Sequence, residues 1–389
     1  MTTVYISIGT PKTGTTALQT FMRKNDGEMR KQGYCYPLLT LGISGLYKDR
    51  NGQFLIYESK QENKEEHQAQ IKEKAYQQLG ELAKKYPNIV LSDEQIWYRC
   101  RKEENFWSKV IEDFRKIDCE VKIIVYLRRQ DLLIQSLWNQ SIKMFRKGTM
   151  TFQEAMDNDY FRYFPMDYYE NLKFIEKDLG KENIIVRPYE RGRFEGEEHS
   201  IFSDFFQSVG LHLTDDFDRE ESTRNLGLEG NFIEIKRLIN GVPEYRKMRD
   251  FLSRPVLYAS TWHSEQGHHE KEGMFRYEEQ VAYLEQFQES NQKVAEEYLG
   301  RKGEPLFYDN EVRKLPQWAL KEETMYRDII TCMTEGFCAQ QEKINDLESK
   351  VMELEKRVTE QGWKIGEHEH WINRIRNLSI YKALNKIRK

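Results

Sequence analysis

The segment Gly9-Thr10-Pro11-Lys12-Thr13-Gly14-Thr15-Thr16, directly after the apolar run Val4-Tyr5-Ile6-Ser7-Ile8, gathers glycines, a cation and hydroxyls at the spacing of an anion-cradling loop. A loop that runs from a strand into a helix offers backbone N–H groups and the positive end of the helix dipole to phosphate or sulfate. Thr13, Thr15 and Thr16 add hydroxyl donors. In the nucleotide triphosphatase loop G-x-x-x-x-G-K-[ST], the lysine follows the second glycine and the next hydroxyl holds magnesium. Here Gly9 and Gly14 keep that spacing, but Thr15 stands where the lysine would be and the cation has moved back to Lys12. The loop is expected to bind phosphate or sulfate without hydrolysing a triphosphate; its plain alternative is a tight turn at a helix cap.

Two further segments carry polar groups at the ends of strand-like runs. Val121-Lys122-Ile123-Ile124-Val125-Tyr126-Leu127 is β-branched and apolar, as a buried parallel strand requires. It ends in Arg128-Arg129-Gln130-Asp131 and continues into a helix-compatible stretch with Leu132, Leu133, Leu137 and Trp138. An arginine fork suits a phosphate, and Ser136, two helical turns on, can reach the same anion. The ordinary use of Arg128 and Arg129 would be pairing with surface acids. Asn88-Ile89-Val90-Leu91-Ser92 ends in Asp93-Glu94-Gln95, and open α/β sheets place ligands just beyond the C-terminal ends of their strands. A carboxylate there can act as a general base, worth about 10²–10⁴ in rate. Ser92 and Asp93 can equally cap the helix that follows, with Glu94 in its first turn.

Together these residues resemble the sulfotransferases that use 3'-phosphoadenosine-5'-phosphosulfate (PAPS), whose first signature reads roughly P-K-[ST]-G-T-[ST]. Pro11 to Thr16 match it throughout, and Arg128 and Ser136 have the eight-residue separation of the second signature. The resemblance implies that Pro11, Lys12, Thr13, Gly14, Thr15 and Thr16 hold the 5'-phosphosulfate, with Lys12 on the oxygen bridging phosphate and sulfate. A preplaced cation at that oxygen is worth about 10²–10³ in rate. It further implies that Arg128 and Ser136 bind the 3'-phosphate, that Glu94, or second Asp93, is the catalytic base, and that no metal is required. Many relatives carry Asp-Pro or Asn-Pro where this chain has Arg129-Gln130, so Arg129 could share the phosphate contact. Arg187-Pro188-Tyr189-Glu190-Arg191 and Asp204 to Leu211 are similar to a later strand and helix of the family. Glu221-Ser222-Thr223-Arg224-Asn225 resembles a loop near the cofactor, with Arg224 a phosphate or acceptor contact. The resemblance covers about residues 1–240 and implies sulfuryl transfer to a hydroxyl, the acceptor being a saccharide or glycolipid. A P-loop kinase-like phosphotransferase using ATP with magnesium, and a noncatalytic nucleotide-binding scaffold, are the rival functions.

These groups need a sheet to position them. The pattern predicts strands over 3–8, 88–92, 121–127 and 183–191, with helices over 15–31, 62–86, 104–117, 131–147 and 202–209. Strands alternating with helices mean an α/β fold, a P-loop-like central parallel sheet flanked by helices. Residues 1–330 are expected to form the catalytic domain, with 241–330 mostly helical and on the acceptor side. There Tyr245, Tyr258, Trp262, Tyr277 and Tyr283 could line a sugar cleft or serve as helix contacts. Trp262-His263-Ser264 and Gly267-His268-His269 read as a solvated loop rather than a metal site. From 335 to 377, Ile344, Leu347, Val351, Leu354, Val358, Ile365, Ile372 and Ile375 alternate spacings of three and four, with Gln361 and His368 in the remaining seam positions. That is a coiled-coil pattern, giving a parallel dimer or trimer, or a helix folded back on its own domain. Residues 378–389 form a basic amphipathic tail, suited to an anionic membrane surface or to the solvated end of the coil.

Composition bounds the rest. The chain has 389 residues and a formal net charge of −4, so no global field favours nucleic acid. Its five cysteines, Cys35, Cys100, Cys119, Cys332 and Cys338, are odd in number and lack C-x-x-C pairing, which points to a reducing compartment. The first strand begins at about Thr3 and no 18-residue apolar run occurs, so a cytoplasmic enzyme, with a peripheral contact at the inner face of the membrane through its tail, is expected.

Overall fold

A computed structural model describes the chain apart from residues 43–48, 145–147, 220–226, 244–248, 267–271, 310 and 388–389, and apart from the side chains of 249–252 and 381. Part of the polar stretch before Gly52, the Glu221–Asn225 loop with Arg224, Tyr245, the Gly267-His268-His269 turn and the last two basic residues lie outside the described residues. The chain divides into two compact units, one of 1–228 with 268–319 and one of 229–267 with 320–389.

The first unit is α/β, as the sequence predicts. Its sheet has five parallel strands, β1 (Thr2–Ser7), β2 (Tyr34–Cys35), β3 (Asn88–Ser92), β4 (Cys119–Leu127) and β5 (Ile184–Pro188), in the order β2-β3-β1-β4-β5. The central strands are apolar on both faces because both faces are covered. Val4, Ile6, Ile89, Leu91, Val121, Ile123 and Val125 enter one core, whereas Val90, Ile124 and Tyr126 enter the other. Helix α1 (Thr15–Lys24) and the short α2 (Asp26–Lys31) serve the second core through Leu18, Phe21, Met22 and Met29. Helix α3 (Lys64–Ala83), charged on most of its surface, buries only Ile71, Ala75 and Leu79, a stripe at spacings of four, against the first. The short α4 (Ile96–Arg99), then α5 (Phe106–Arg115), α6 (Gln130–Met144), α7 (Phe152–Asp157) and α8 (Tyr168–Leu179) follow in chain order, and α9 (Ile201–Val209) covers the second core with Phe205 and Phe206.

Three details differ from the sequence expectation. The first helix does not run unbroken to Lys31: the Asn25 carboxamide donates to the carbonyls of Phe21 and Asp218 and accepts from the Asp218 N–H at 2.7 Å, which ends α1 there. The two-residue β2 carries too little pattern to be read. Trp262-His263-Ser264 is not a loop; it ends the helix α11 (Arg249–Glu265), which follows α10 (Asn231–Gly241), and the His263 ring packs edge-on against Phe232.

The remaining helices are α12 (Tyr277–Glu285), α13 (Gln288–Leu299), α14 (Glu322–Asn377) and α15 (Ser379–Ile387). In the second unit Asn231 fastens α10 to the start of α14, donating to the Lys321 carbonyl and to the Asp328 carboxylate. Among the described residues no helix is long and apolar enough to cross a membrane.

Asp204 ties β4, β5 and α9 together. Its carboxylate, 2 % exposed, accepts from the Tyr126 hydroxyl, from Arg187 Nε at 3.0 Å and from the Glu195 N–H at 2.8 Å. Removing one partner of such a pair leaves the other charge uncompensated. We expect Asp204→Ala to lower the unfolding free energy by about 3–5 kcal/mol in urea titrations; a loss under about 1 kcal/mol would show that Glu195, 3.0 Å from Arg187, compensates.

Candidate functional site

The strand order places the C-terminal ends of β3, β1 and β4 side by side, with Ser7 in register with both Ser92 and Ile124. The chain leaves β1 for one side of the sheet and crosses to β4 on the other, so the crevice at β1 is the topological switch point where open α/β sheets bind ligands. The Gly9–Thr16 loop, the Asp93-Glu94 pair and Arg128 all emerge at this edge.

The loop is held by its neighbours on β4: the Ile8 N–H donates to the Ile124 carbonyl, and the Thr10 N–H and hydroxyl both donate to the Tyr126 carbonyl. Two residues turn it in the left-handed region. Gly14, at φ 75°, has no side chain to strain and is the N-cap of α1 with no side-chain cap bond, so no side chain caps the first-turn amides. Lys12, at φ 70°, adopts the same region at a cost that a lysine normally avoids. Its carbonyl accepts from Arg128 Nη1 at 2.8 Å, and its ammonium Nζ donates to the Gln140 Oε1 at 3.0 Å. Burial first, then the nearby Lys143 and Arg128, lower the Lys12 pKa to about 8 against the opposing pull of Glu94. Burial likewise pushes the Arg128 guanidinium below its ordinary value, and its Cζ lies 5.9 Å from the centre of the Tyr189 ring. Cations desolvated against one another disfavour their own charge, and an anion among them relieves that cost.

The other expected residues divide. Thr13 is buried and donates its hydroxyl to the Thr10 carbonyl at 2.6 Å, so it fixes the turn instead of facing outward. Pro11 and Thr15 are half-buried and Thr16 is exposed. Ser136 is half-buried on α6, one turn before Gln140. Arg129 turns away from the loop, its Nε and Nη2 on the two Asp131 oxygens at 2.7 and 2.8 Å and its Nη1 on the Asp309 carbonyl. Gln130 exchanges hydrogen bonds with Asn291. The Arg129-Gln130 pair that departs from the related signatures therefore fastens the 280–311 region to the sheet edge, together with Asp131, which accepts from Gln280.

The two acids are unequal. Asp93 is fully buried; its Oδ1 accepts from Arg50 Nη2 at 2.5 Å and from the Gln95 N–H at 2.8 Å, so it also makes the helix-opening turn. Burial pushes its carboxyl up to about 6 even though Arg50 opposes the rise. Glu94 keeps 18 % of its side chain exposed, and its Oε2 accepts from Gln19 Nε2 at 3.0 Å; the same amide donates to the Ser92 hydroxyl. Of the two, only Glu94 has a side chain that reaches solvent.

Gln19, Arg50, Gln140 and Lys143 were not among the residues singled out from the sequence. Gln19 had a signal, a polar residue on the buried stripe of α1 between Leu18 and Phe21. Gln140 and Lys143 had another, the four-and-three spacing from Ser136 that puts all three on one face of α6. Arg50 had none, because it reaches Asp93 from a loop placed by Asn51, whose carboxamide accepts from the Ser92 N–H and donates to the Val90 carbonyl.

No protein-family model matches the chain. A protein of Archaeoglobus fulgidus, described only as uncharacterized, is 28 % identical over 240 residues, which are 61 % of this chain and 58 % of that protein. The chain thus matches just over half the length of that relative. The crystal structure of a sulfotransferase from Alicyclobacillus acidocaldarius overlaps 60 % of this chain and 93 % of its own at 13 % identity, with a TM-score of 0.35, an overlap too partial to bear on activity.

The amine of Lys12 is charged below about pH 8 and loses its proton above it. Since sulfate keeps its charge across this range, its stabilising effect isolates the lysine. We expect the rise in Tm produced by added sulfate to be constant from pH 6.5 to 7.5 and to fall above pH 8, by up to roughly tenfold in affinity per pH unit. In Lys12→Met the sulfate effect should be small and independent of pH; an unchanged profile would place the titrating cation elsewhere.

Proposed function

We propose that this protein is a sulfuryl transferase that uses PAPS and delivers the group to a hydroxyl of a saccharide or glycolipid. The observation that carries this reading is Lys12: a cation displaced into the loop, in a left-handed conformation, at a helix N-terminus with no side-chain cap. It sits with Arg128 and Lys143 in the mutual repulsion that a multiply charged anion relieves. The residues fit the donor. The loop amides and the hydroxyls of Thr15 and Thr16 would hold its 5'-phosphosulfate, and Arg128 and Ser136 its 3'-phosphate.

Bound PAPS would supply an activated sulfuryl group and leave as adenosine 3',5'-bisphosphate. Lys12 holds its charge at the loop mouth, where negative charge grows on the leaving phosphate oxygen; a preplaced donor of this kind contributes a factor of about 10²–10³. Glu94, with Oε2 held by Gln19, takes the proton of the acceptor hydroxyl on Oε1 as that oxygen attacks. Asp93, beneath Arg50, positions that arginine beside Glu94, 3.8 Å from its Oε2. Charge neutralisation in this reading comes from Lys12, Arg128, Lys143 and the backbone amides.

Calorimetric titration of adenosine 3',5'-bisphosphate against ATP, each with and without magnesium, tests the donor class. We expect magnesium-independent preference for the bisphosphate; preference for ATP with magnesium would establish a kinase-like enzyme instead. With a saccharide acceptor, Lys12→Ala should lower transfer by about 10²–10³ while bisphosphate binding persists. Glu94→Gln should lower transfer by about 10²–10⁴ at similar donor affinity, and undiminished turnover in that variant would move the base to Asp93 or elsewhere.

A further inference from the structure

The stripe along α14 has no partner among the described residues. Ile344, Leu347, Val351, Leu354, Val358, Ile365, Ile372 and Ile375 are each 39–67 % exposed, and beyond Gln340, which fills the next seam position, the spacing continues back through Phe337 and Met333 to Ile330, all three also exposed. A lone helix gains nothing from these side chains, and Gly336, Gly362 and Gly366 weaken it by roughly 1 kcal/mol each relative to alanine. Its continuity needs a second surface.

We propose that this surface is the same stripe of a second copy of the chain, in a parallel, in-register two-stranded coiled coil. The occupant follows from the residue types. Written as heptads, the a positions from 344 onward are Ile344, Val351, Val358, Ile365 and Ile372, all β-branched. The d positions begin with Leu347 and Leu354. β-branched residues at a with leucine at d select two strands over three or four.

Orientation follows from the flanks. The g positions Lys343, Lys350, Arg357 and Lys364 are all basic, and the e positions Glu348, Glu355 and Glu369 are acidic. Parallel helices set each g beside the e position five residues on in the partner, which pairs Lys343 with Glu348, Lys350 with Glu355 and Lys364 with Glu369. Antiparallel helices set g beside g and e beside e, opposing like charges along both sides. Lys350 already donates to Asp346 within its own helix, but that pair is exposed on both sides and competes weakly.

Register follows from the polar layers. Gln361 and His368 occupy d and break the apolar seam. A shift by one heptad would set Gln361 against Leu354 and His368 against Ile375, leaving polar groups against apolar ones. In register each meets its own kind, the use of polar seam residues best attested in coiled coils.

Sedimentation equilibrium of the full chain at micromolar concentration should give twice the 46.7 kDa monomer mass. A monomer or a trimer would overturn the proposal. Orientation is read by oxidation of variants with one added seam cysteine in a Cys338→Ser background, which removes the exposed outer b-position thiol and leaves only the buried Cys35, Cys100, Cys119 and Cys332. Both Ile344→Cys and Gln361→Cys should cross-link into dimers, and Met352→Cys, also at b, should not. An antiparallel pair can bring at most one of the two seam cysteines opposite itself, so cross-linking at only one site, or equally at Met352→Cys, overturns it. Replacing Lys343, Lys350 and Lys364 by Glu should lower self-association at least tenfold. Mixing that protein with the Glu348, Glu355 and Glu369→Lys variant should restore the dimer as a heterodimer; failure of the mixture to associate would overturn the charge pairing.

Discussion

The hydrogen bond from Arg128 to the carbonyl of Lys12 is the contact on which the site depends. It joins the end of β4 to the loop after β1, and it holds a lysine backbone in a region that the residue would otherwise leave. The sheet supplies the remaining constraint. With β1 between β3 and β4, three loops that are far apart in the chain open at one edge, and the register that aligns Ser7 with Ser92 and Ile124 fixes their relative heights. Cations and carboxylates then meet where charge interactions are strengthened by burial.

Helix α6 serves both the scaffold and the site. Its first residues are pinned by Arg129, Gln280 and the Gln130–Asn291 pair, which anchor a region 150 to 180 residues further along the chain. Its next turns carry Ser136, Gln140 and Lys143 on one face. Because a helix is stiff, fastening one end sets the position of the other. Gln140 Oε1 is thereby held 3.0 Å from Lys12 Nζ, from a position 128 residues further along the chain.

Much of this was legible in the residues. The β-branched runs at 121–127 and 88–92 announced buried parallel strands, and the order of strands and helices announced the α/β sheet. The glycine spacing and Lys12 located the loop. What escaped the sequence depends on long-range contact: Arg50 meets Asp93 across 43 positions, and nothing in its local pattern marks it. The short β2 exists only because a neighbour pairs with it. Nothing in the local sequence shows that the Thr13 hydroxyl turns to the Thr10 carbonyl instead of outward. The unequal burial of Asp93 and Glu94, adjacent in sequence and on the same turn, also arises from packing alone.

Under the proposed function, the left-handed backbone at Lys12 sets durability against activity. Glycine would occupy φ 70° without penalty, whereas lysine costs of order 1 kcal/mol there and adds a desolvated cation. Fold stability alone would favour glycine at position 12. The chain keeps a side chain that weakens its own loop, so under the proposed function this turn is a place where thermostability and sulfuryl transfer are expected to move in opposite directions under selection.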